Sequence, residues 1–216
     1  MRPEPPVDGS DVFGAEQAAH RLAERLAHID RDAVRRAAGG GSELFPVFSL
    51  TRDHFDGPPW ARAAIVVFAS FGAAASRPLG PILAAIKEHH PNTVSVSWRH
   101  RPDPRDLGLS AMFALAAEAA AVRGHFWPLT RELLKLRHFE PVDLHRALLR
   151  AGLDPELTVD AMRAGTGADR IADDVASALA SGVAYPPALF VNGERYRGDL
   201  EPAAVLAALE GVTGRA

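Results

Sequence analysis

Two apolar strands separated by one helical stretch constrain the fold of this chain most. The run Ala63 to Ala69 is continuous, apolar and rich in β-branched residues, which is typical of a strand buried on both faces. A helical stretch from about Ala73 to His90 follows; Pro78 is tolerated near its first turn, whereas Pro81 should kink it. Thr93 to Arg99 is the next strand. Because strand–helix–strand units form right-handed parallel crossovers, the sequence predicts an α/β fold.

The segments after this crossover are helical in character up to residue 181 and then return to β character. Helices are predicted over residues 107–123, 126–138, 142–151, 155–164 and 167–181. Ala188 to Val191 is a strand, Asn192-Gly193 is a hairpin turn, and Glu194 to Arg197 is the return strand. Leu200 to Leu209 forms a closing helix.

The N-terminal part is expected to add one helix to this domain. Residues 1–14 are expected to form a disordered tail, and residues 15–41 a helix followed by a glycine linker, Gly39-Gly40-Gly41. Leu22, Leu26, Ile29 and Ala33 share one face, so we expect the helix to pack on the body of the domain; a helix that pairs with a partner or a second copy is the alternative. Leu44 to Leu50 is predicted as an edge strand, where Pro46 removes one backbone donor.

Composition excludes several classes of function. The 216 residues contain no cysteine, which removes disulfides, zinc thiolates, iron–sulfur clusters and a thiol nucleophile. The formal charge of −3 does not supply the basic surface that nucleic acid needs. The chain contains neither a bilayer-spanning apolar segment nor a secretory signal, and we therefore expect a cytoplasmic protein without a membrane segment.

Several blocks in a defined order resemble the DsbA family of the thioredoxin fold. They are Thr51 to His54 with Gly57-Pro58, Ile65 to Leu83, Val96 to Pro102, Ala116 to Leu134 with its Gly-x-Phe-Trp, and Gly182 to Gly193. The resemblance covers about residues 45–212. It implies a thioredoxin-like α/β fold: a central mixed sheet with an all-helical insertion at about residues 105–181, to which this chain adds the N-terminal helix.

The resemblance also locates the residues on which the family's redox chemistry depends. The Cys-x-x-Cys motif falls on Ala73, Ala74, Ala75 and Ser76, so neither sulfur is present. The buried acid of the preceding strand falls on Val67. The proline that faces the dithiol is Pro187, and we expect its peptide bond to Pro186 to be cis. The residue before it, which pairs with a substrate strand in the family, is Pro186 and has no N–H to donate.

These losses predict a redox-inactive protein that binds a ligand where the active site was. We expect no cofactor, and a peptide, protein or small-molecule partner held between the degenerate motif and the proline turn, next to an exposed apolar patch around Phe71 and the three alanines. The residues of this predicted groove are Phe71, Ala73, Ser76, Arg77, Tyr185, Pro186 and Pro187.

Two other functions remain open at this point. Ser76 and Arg77 would hold a thiol or carboxylate cosubstrate if the chain were a sulfur-independent enzyme similar to kappa-class glutathione transferases or chromene carboxylate isomerases. Those enzymes, however, carry the working serine at the position of Ala73; the simpler expectation is that Ser76 satisfies amides of the first helical turn. Resemblance alone would also place the chain among thiol–disulfide oxidoreductases, although we expect no such catalysis.

The histidines and the aromatic pair of the insertion receive structural interpretations. No His-x-x-x-His pair occurs and the adjacent His89 and His90 point apart, so no metal site is predicted. His100 is expected at the surface near a strand end. Phe126 and Trp127 are expected in the core of the insertion.

Overall fold

A five-stranded mixed sheet forms the centre of the protein. The computed structural model describes residues 9–29 and 43–214, with side chains from residue 14 onward. The strands are β1 (His54–Asp56), β2 (Ala63–Ala69), β3 (Val94–His100), β4 (Ala188–Val191) and β5 (Glu194–Arg195), in the spatial order β1-β3-β2-β4-β5. Only β2 and β3 are parallel. This pairing confirms the predicted crossover.

Helices cover the sheet and form the insertion between β3 and β4. The described residues form α1 (Gly9–Ala27), α2 (Leu79–His89), α3 (Leu107–Ala121), α4 (Phe126–Leu133), α5 (Pro141–Arg150), α6 (Pro155–Arg163), α7 (Ala168–Ala180) and α8 (Pro202–Thr213). α3 to α7 all lie between β3 and β4, which confirms the α/β architecture with an all-helical insertion. α3 is buried on nearly all sides and lies at the centre of the insertion.

The N-terminal helix packs on the insertion rather than extending away from it. Its face of Ala15, Ala18, Leu22 and Leu26 is buried in the main core, against α3, α6 and α7. The helix begins at Gly9, so the tail predicted up to residue 14 was too long. No proline lies between Pro6 and Ala27, so nothing in the sequence prevents the helix from starting before residue 15. Ala33 and the linker Gly39 to Gly41 lie outside the described residues.

The segment Leu44 to Leu50 is not the edge strand that we predicted. It touches the sheet only at its start, where Leu44 N–H donates to Gly193 C=O at 2.9 Å beside an isolated bridge between Glu43 and Glu194. The next residue binds side chains instead: Phe45 N–H donates to Ser181 Oγ at 2.8 Å, and Phe45 C=O accepts from Ser177 Oγ at 2.6 Å. The carbonyls of Pro46 and Val47 accept from the Arg99 guanidinium. The edge of the sheet is formed by β1, which pairs antiparallel with β3.

The interruption of the first crossover helix also differs from the prediction. A short 3₁₀ turn, Ala74–Ser76, comes first, and Arg77 and Pro78 separate it from α2, which begins at Leu79. Pro81 therefore lies in the first turn of α2, where a backbone N–H has no helical partner to lose, and the kink predicted there is wrong. The hairpin turn is as predicted, with Asn192 at φ 49° and Gly193 at φ 89°.

Candidate functional site

The degenerate motif lies where β2 ends. The chain leaves the sheet at Ala69, turns through Ser70, Phe71 and Gly72, and enters the 3₁₀ turn after Ala73. Ala73 has an extended backbone (φ −70°, ψ 122°), and its side chain makes no capping hydrogen bond. Val67, where we predicted the position of the family's buried acid, is fully buried and pairs with Trp98 and Leu189 in the neighbouring strands. This residue is therefore part of the hydrophobic core.

The predicted groove residues divide into a buried and an exposed set. Phe71, Ala73, Ser76 and Pro186 are buried, Pro187 is half-buried, and Ala74, Ala75, Arg77 and Tyr185 are exposed. The prediction of an exposed apolar patch around Phe71 is therefore wrong. The Phe71 ring stacks on Trp98 with centroids 4.7 Å apart instead of facing solvent. A cavity at the motif measures only about 10 Å³, and no residue of the proline turn lines it. That volume accommodates about one water molecule.

Ser76 is part of the structure beneath this surface. Its side chain is buried, and its hydroxyl accepts a hydrogen bond from the Ser70 backbone N–H at 3.4 Å. The hydroxyl thus satisfies an amide upstream of the turn rather than, as we expected, one in the first helical turn. A serine that activates or binds a cosubstrate must be accessible, and this one is not.

The proline turn is attached to the sheet by an arginine. The Pro186–Pro187 peptide bond is cis, as predicted. Arg101 follows β3 and is buried; its backbone N–H donates to Ala69 C=O at 2.9 Å, and its guanidinium donates to the carbonyls of Val183 (3.2 Å) and Ala184 (2.5 Å). The ends of β2 and β3 and the segment before the turn are therefore joined.

An exposed aromatic residue lies at this end of the sheet, immediately before the two prolines. Tyr185 is 56% exposed, and the Arg105 guanidinium lies 5.3 Å from the centre of its ring. Asp103 accepts from Arg105 Nε at 2.9 Å and Nη2 at 2.7 Å, which orients the guanidinium. These hydrogen bonds also lower the pKa of the Asp103 carboxyl. The Tyr185–Arg105 pair is thus held in place while its outer side stays accessible.

A buried histidine–glutamate cluster lies behind Phe71. Glu118 of α3 accepts from His54 Nε2 and His100 Nε2, each at 2.9 Å, and the Trp98 indole N–H points at His100 Nδ1 at 3.4 Å. Burial alone would raise the pKa of Glu118, but the hydrogen bonds from His100 and His54 outweigh it and lower the pKa to about 2. His100 is 1% exposed, so our surface placement of this residue is wrong; it is buried because Glu118 supplies a partner inside the core.

A second buried network lies beside the first one. Asp53 accepts from Arg99 Nε at 2.7 Å and Nη2 at 2.8 Å, and Arg52 joins Asp53 to Asp174. Asp174 also accepts from the His100 backbone N–H at 2.8 Å. Burial raises the pKa of Asp174, whereas that of Asp53 is lowered because the contacts of Arg99 and Arg52 outweigh its burial.

Sequence reasoning missed both networks, although one signal was present. Glu118 is the only charged residue in the apolar run from Leu107 to Ala121. A lone charge on a helix that is apolar all round must be buried, and a buried charge requires a partner. The partners lie 18 and 64 residues away along the chain.

The other sequence-based expectations have mixed outcomes. Phe126 is buried and stacks on His54 with centroids 3.9 Å apart, as a core residue should, whereas Trp127 is only half-buried. No cluster of three or more histidines and carboxylates arranged to hold a metal ion occurs within residues 9–29 and 43–214. No helix in the described part of the chain is both long and apolar enough to cross a membrane.

Comparison by sequence finds relatives that are much longer than this chain. No protein-family model matches it. It is 31% identical over 177 residues to a protein of Mycolicibacterium gilvum named Na(+)/H(+) antiporter NhaA 1, a match that covers 81% of this chain. A Salinispora tropica protein named Na(+)/H(+) antiporter NhaA 3 is 35% identical over 191 residues, or 88% of this chain. The chain spans only 29% of the length of each.

Comparison by structure finds neighbours whose chains are covered almost completely by the superposition. BdbD from Bacillus subtilis superposes with a TM-score of 0.69 at 15% identity, covering 80% of this chain and 98% of BdbD. Alpha-DsbA1 of Wolbachia pipientis gives a TM-score of 0.66 at 17% identity, over 78% and 94% of the two chains. A thioredoxin-like oxidoreductase from Silicibacter pomeroyi gives 0.65 at 22% identity, over 76% and 94%. The chain therefore has the thioredoxin fold in its DsbA-like form.

Proposed function

We propose that this chain is a redox-inactive DsbA-like module that binds a protein or peptide at the end of the sheet where the family's active site lies. A chain without cysteine forms no mixed disulfide. At the position where the resemblance predicts the family's buried acid, this chain has the apolar residue Val67. The small volume of the cavity at the motif, about 10 Å³, argues against a small ligand there. Burial of the Ser76 hydroxyl disfavours a serine-dependent enzyme.

The single observation that carries the binding proposal is the exposed Tyr185–Arg105 pair. Tyrosine and arginine are enriched among the residues that contribute most to protein–protein binding. Here Asp103 fixes the arginine and the arginine lies against the tyrosine ring, so little side-chain freedom remains to be lost when a partner binds. Ala74 and Ala75 add a small exposed apolar area at the same end of the sheet.

The names of the relatives supply the partner class to test first. The region that matches this chain makes up less than a third of proteins named Na(+)/H(+) antiporters. We therefore propose a membrane transporter as the partner, bound by this chain through the Tyr185 surface.

The redox part of the proposal is tested by restoring the sulfurs. The wild-type chain should not accelerate reduction of insulin by dithiothreitol. The double variant Ala73→Cys, Ser76→Cys should form a disulfide yet remain a poor catalyst, because Val67 still supplies no acid and Pro186 still donates no N–H to a substrate strand. Wild-type turnover above background, or a double variant as active as an ordinary DsbA-like enzyme, would contradict the proposal.

The binding part is tested with peptide selection and one matched control. Peptides selected from a random display library on the immobilised chain should lose binding to Tyr185→Ala and keep it for Trp60→Ala. Trp60 is also an exposed aromatic residue, at 80%, but it precedes β2 and so lies at the opposite end of the sheet. An antiporter relative lacking its own matching segment should show the same dependence in a detergent-solution binding assay. Binding that both variants retain equally would refute the assignment of this surface.

A further inference from the structure

The end of the sheet that carries the Tyr185–Arg105 pair also carries two further exposed arginines. Arg77 follows the degenerate motif directly, and its guanidinium donates to the backbone carbonyl of Arg137 at 3.2 Å. Both side chains are exposed, and neither forms an ion pair with an acidic residue in the described part of the chain. Two adjacent positive charges are therefore open to solvent without a carboxylate to compensate them.

Two hydrogen bonds connect the Arg77 side of this surface to the Arg105 side. The Ser70 backbone N–H donates to the Ser76 hydroxyl at 3.4 Å, and the Asp103 backbone N–H donates to the Ser70 hydroxyl at 3.3 Å. Arg77 is the residue after Ser76, and Asp103 orients the Arg105 guanidinium. Both arginines are therefore attached to the same turn, at the end of β2.

The acidic residues around this turn already have partners within the fold. Four arginines and three acids occur in the segments that form this end of the sheet, residues 70–77, 101–106, 136–140 and 182–187. Asp103 binds Arg105. Asp106 and Glu140 lie at the N-termini of α3 and α5, where each offsets the positive end of its helix. The first turn of α2, by contrast, contains no acid. This surface is thus positive, although the whole chain has a formal charge of −3.

We propose that the segment bound at the Tyr185 surface is an acidic peptide. This inference rests on the proposed function and adds the chemistry of the ligand. Arg105 donates to Asp103 through Nε and Nη2, so its Nη1 remains for one carboxylate of the peptide. Arg77 and Arg137 bind a second carboxylate. Because such charges act at an interface mainly on association rate and specificity, the Tyr185 ring still supplies the anchor.

The composition of selected peptides tests this inference separately from the proposed function. Among peptides selected from the display library, those that fail to bind Tyr185→Ala should contain aspartate and glutamate more often than the unselected library does. If no selected peptide depends on Tyr185, the proposed function fails and this inference fails with it. If peptides that depend on Tyr185 show no excess of acidic residues, this inference alone is wrong.

A double variant tests the two uncompensated arginines directly. Arg77→Gln, Arg137→Gln removes both charges and leaves the Tyr185–Arg105 pair intact. We expect it to bind a selected peptide about tenfold more weakly than the wild type at about 50 mM salt, mainly through slower association in surface plasmon resonance. Arg123→Gln is the matched control and should bind as the wild type does. This exposed arginine lies beyond the far end of α3, a helix about 22 Å long.

An amide analogue of the same peptide, with asparagine and glutamine in place of its acids, identifies the charge as the cause. The wild type should bind this analogue about tenfold more weakly than the acidic peptide, whereas the double variant should distinguish the two peptides much less. Equal affinity of the wild type and the double variant for the acidic peptide would overturn the proposal. So would a double variant that prefers the acidic peptide as strongly as the wild type does.

Discussion

Replacing Glu118 by glutamine should remove a large and pH-dependent part of the protein's stability. The Glu118 carboxylate is 4% exposed and accepts from His54 and His100 at 2.9 Å each, and Arg170 Nε lies 3.4 Å from the same oxygen. The Arg170 Nε has no hydrogen bond with any described residue, and the charge of Arg170 is compensated by Glu118 and by Asp174. Glutamine preserves the size of the side chain but cancels its charge.

The magnitude follows from the pKa of Glu118. Its value of about 2 lies about 2.5 below the ordinary value of 4.5. Each unit of pKa corresponds to about 1.36 kcal/mol, so the carboxylate contributes ~3 kcal/mol to the free energy of unfolding. Removal of one partner from a buried charge pair costs about 3–5 kcal/mol, which agrees with this figure.

The pH dependence has a definite direction. Because the pKa of Glu118 is lower in the folded state than in the unfolded chain, its contribution is fully present above pH 4.5 and is lost as the pH falls toward 2. Urea denaturation followed by circular dichroism should therefore show the glutamine variant ~3 kcal/mol less stable than the wild type at pH 6, with the gap closing toward pH 2. Glu88→Gln, at an exposed position of α2, should stay within about 0.5 kcal/mol of the wild type throughout. A gap that is absent at pH 6, or unchanged at pH 2.5, would refute the reasoning.

Two further substitutions test the same region by urea denaturation. A Cβ on Gly167, whose φ is +79°, would lie 2.2 Å from the Glu118 Cβ. Gly152 has a similar φ of +76°, but no atom lies within 4 Å of its Cβ position, so Gly167→Ala should cost about 2–3 kcal/mol more stability than Gly152→Ala. Equal losses in the two variants would contradict this packing. Asp53→Asn should cost about 3–5 kcal/mol because Arg99, which is fully buried, loses the charge that compensates its own; a loss below 1 kcal/mol would show that the pair does not stabilise the fold.

Local patterns were sufficient to predict most of the elements. The apolar run of β2 needed no knowledge of its neighbours, and Asn192-Gly193 identified the hairpin because both residues adopt a positive φ readily. The three-residue strand β1 was missed because it is too short to show a period of two. The Leu44 to Leu50 segment resembled a strand by composition, whereas the backbone of Phe45 and Pro46 binds serine and arginine side chains from α7 and β3.

The candidate site was less predictable because its polar interior depends on contacts that are distant in sequence. The resemblance to the family predicted the cis peptide bond before Pro187 correctly, but it said nothing about the exposure of Ser76 or Pro187. Phe71 is buried because Trp98 lies beneath it, 27 positions further along the chain. His100 was placed outside because a charged or polar residue at a strand end is usually solvated, and only the position of Glu118 reverses that expectation.

The positions of the two lysines have a practical consequence for chemical labelling. Lys87 and Lys135 are the only lysines in the sequence, and each lines one of two cavities that share Leu83 and Trp127 in their walls. Apart from the N-terminal amine, an amine-reactive dye or crosslinker therefore attaches only beside these cavities. Because the chain contains no cysteine, a single thiol introduced elsewhere accepts a second dye with no competing site. A variant with one added cysteine thus allows distance measurements from this region to a chosen surface position, with no native thiol to remove first.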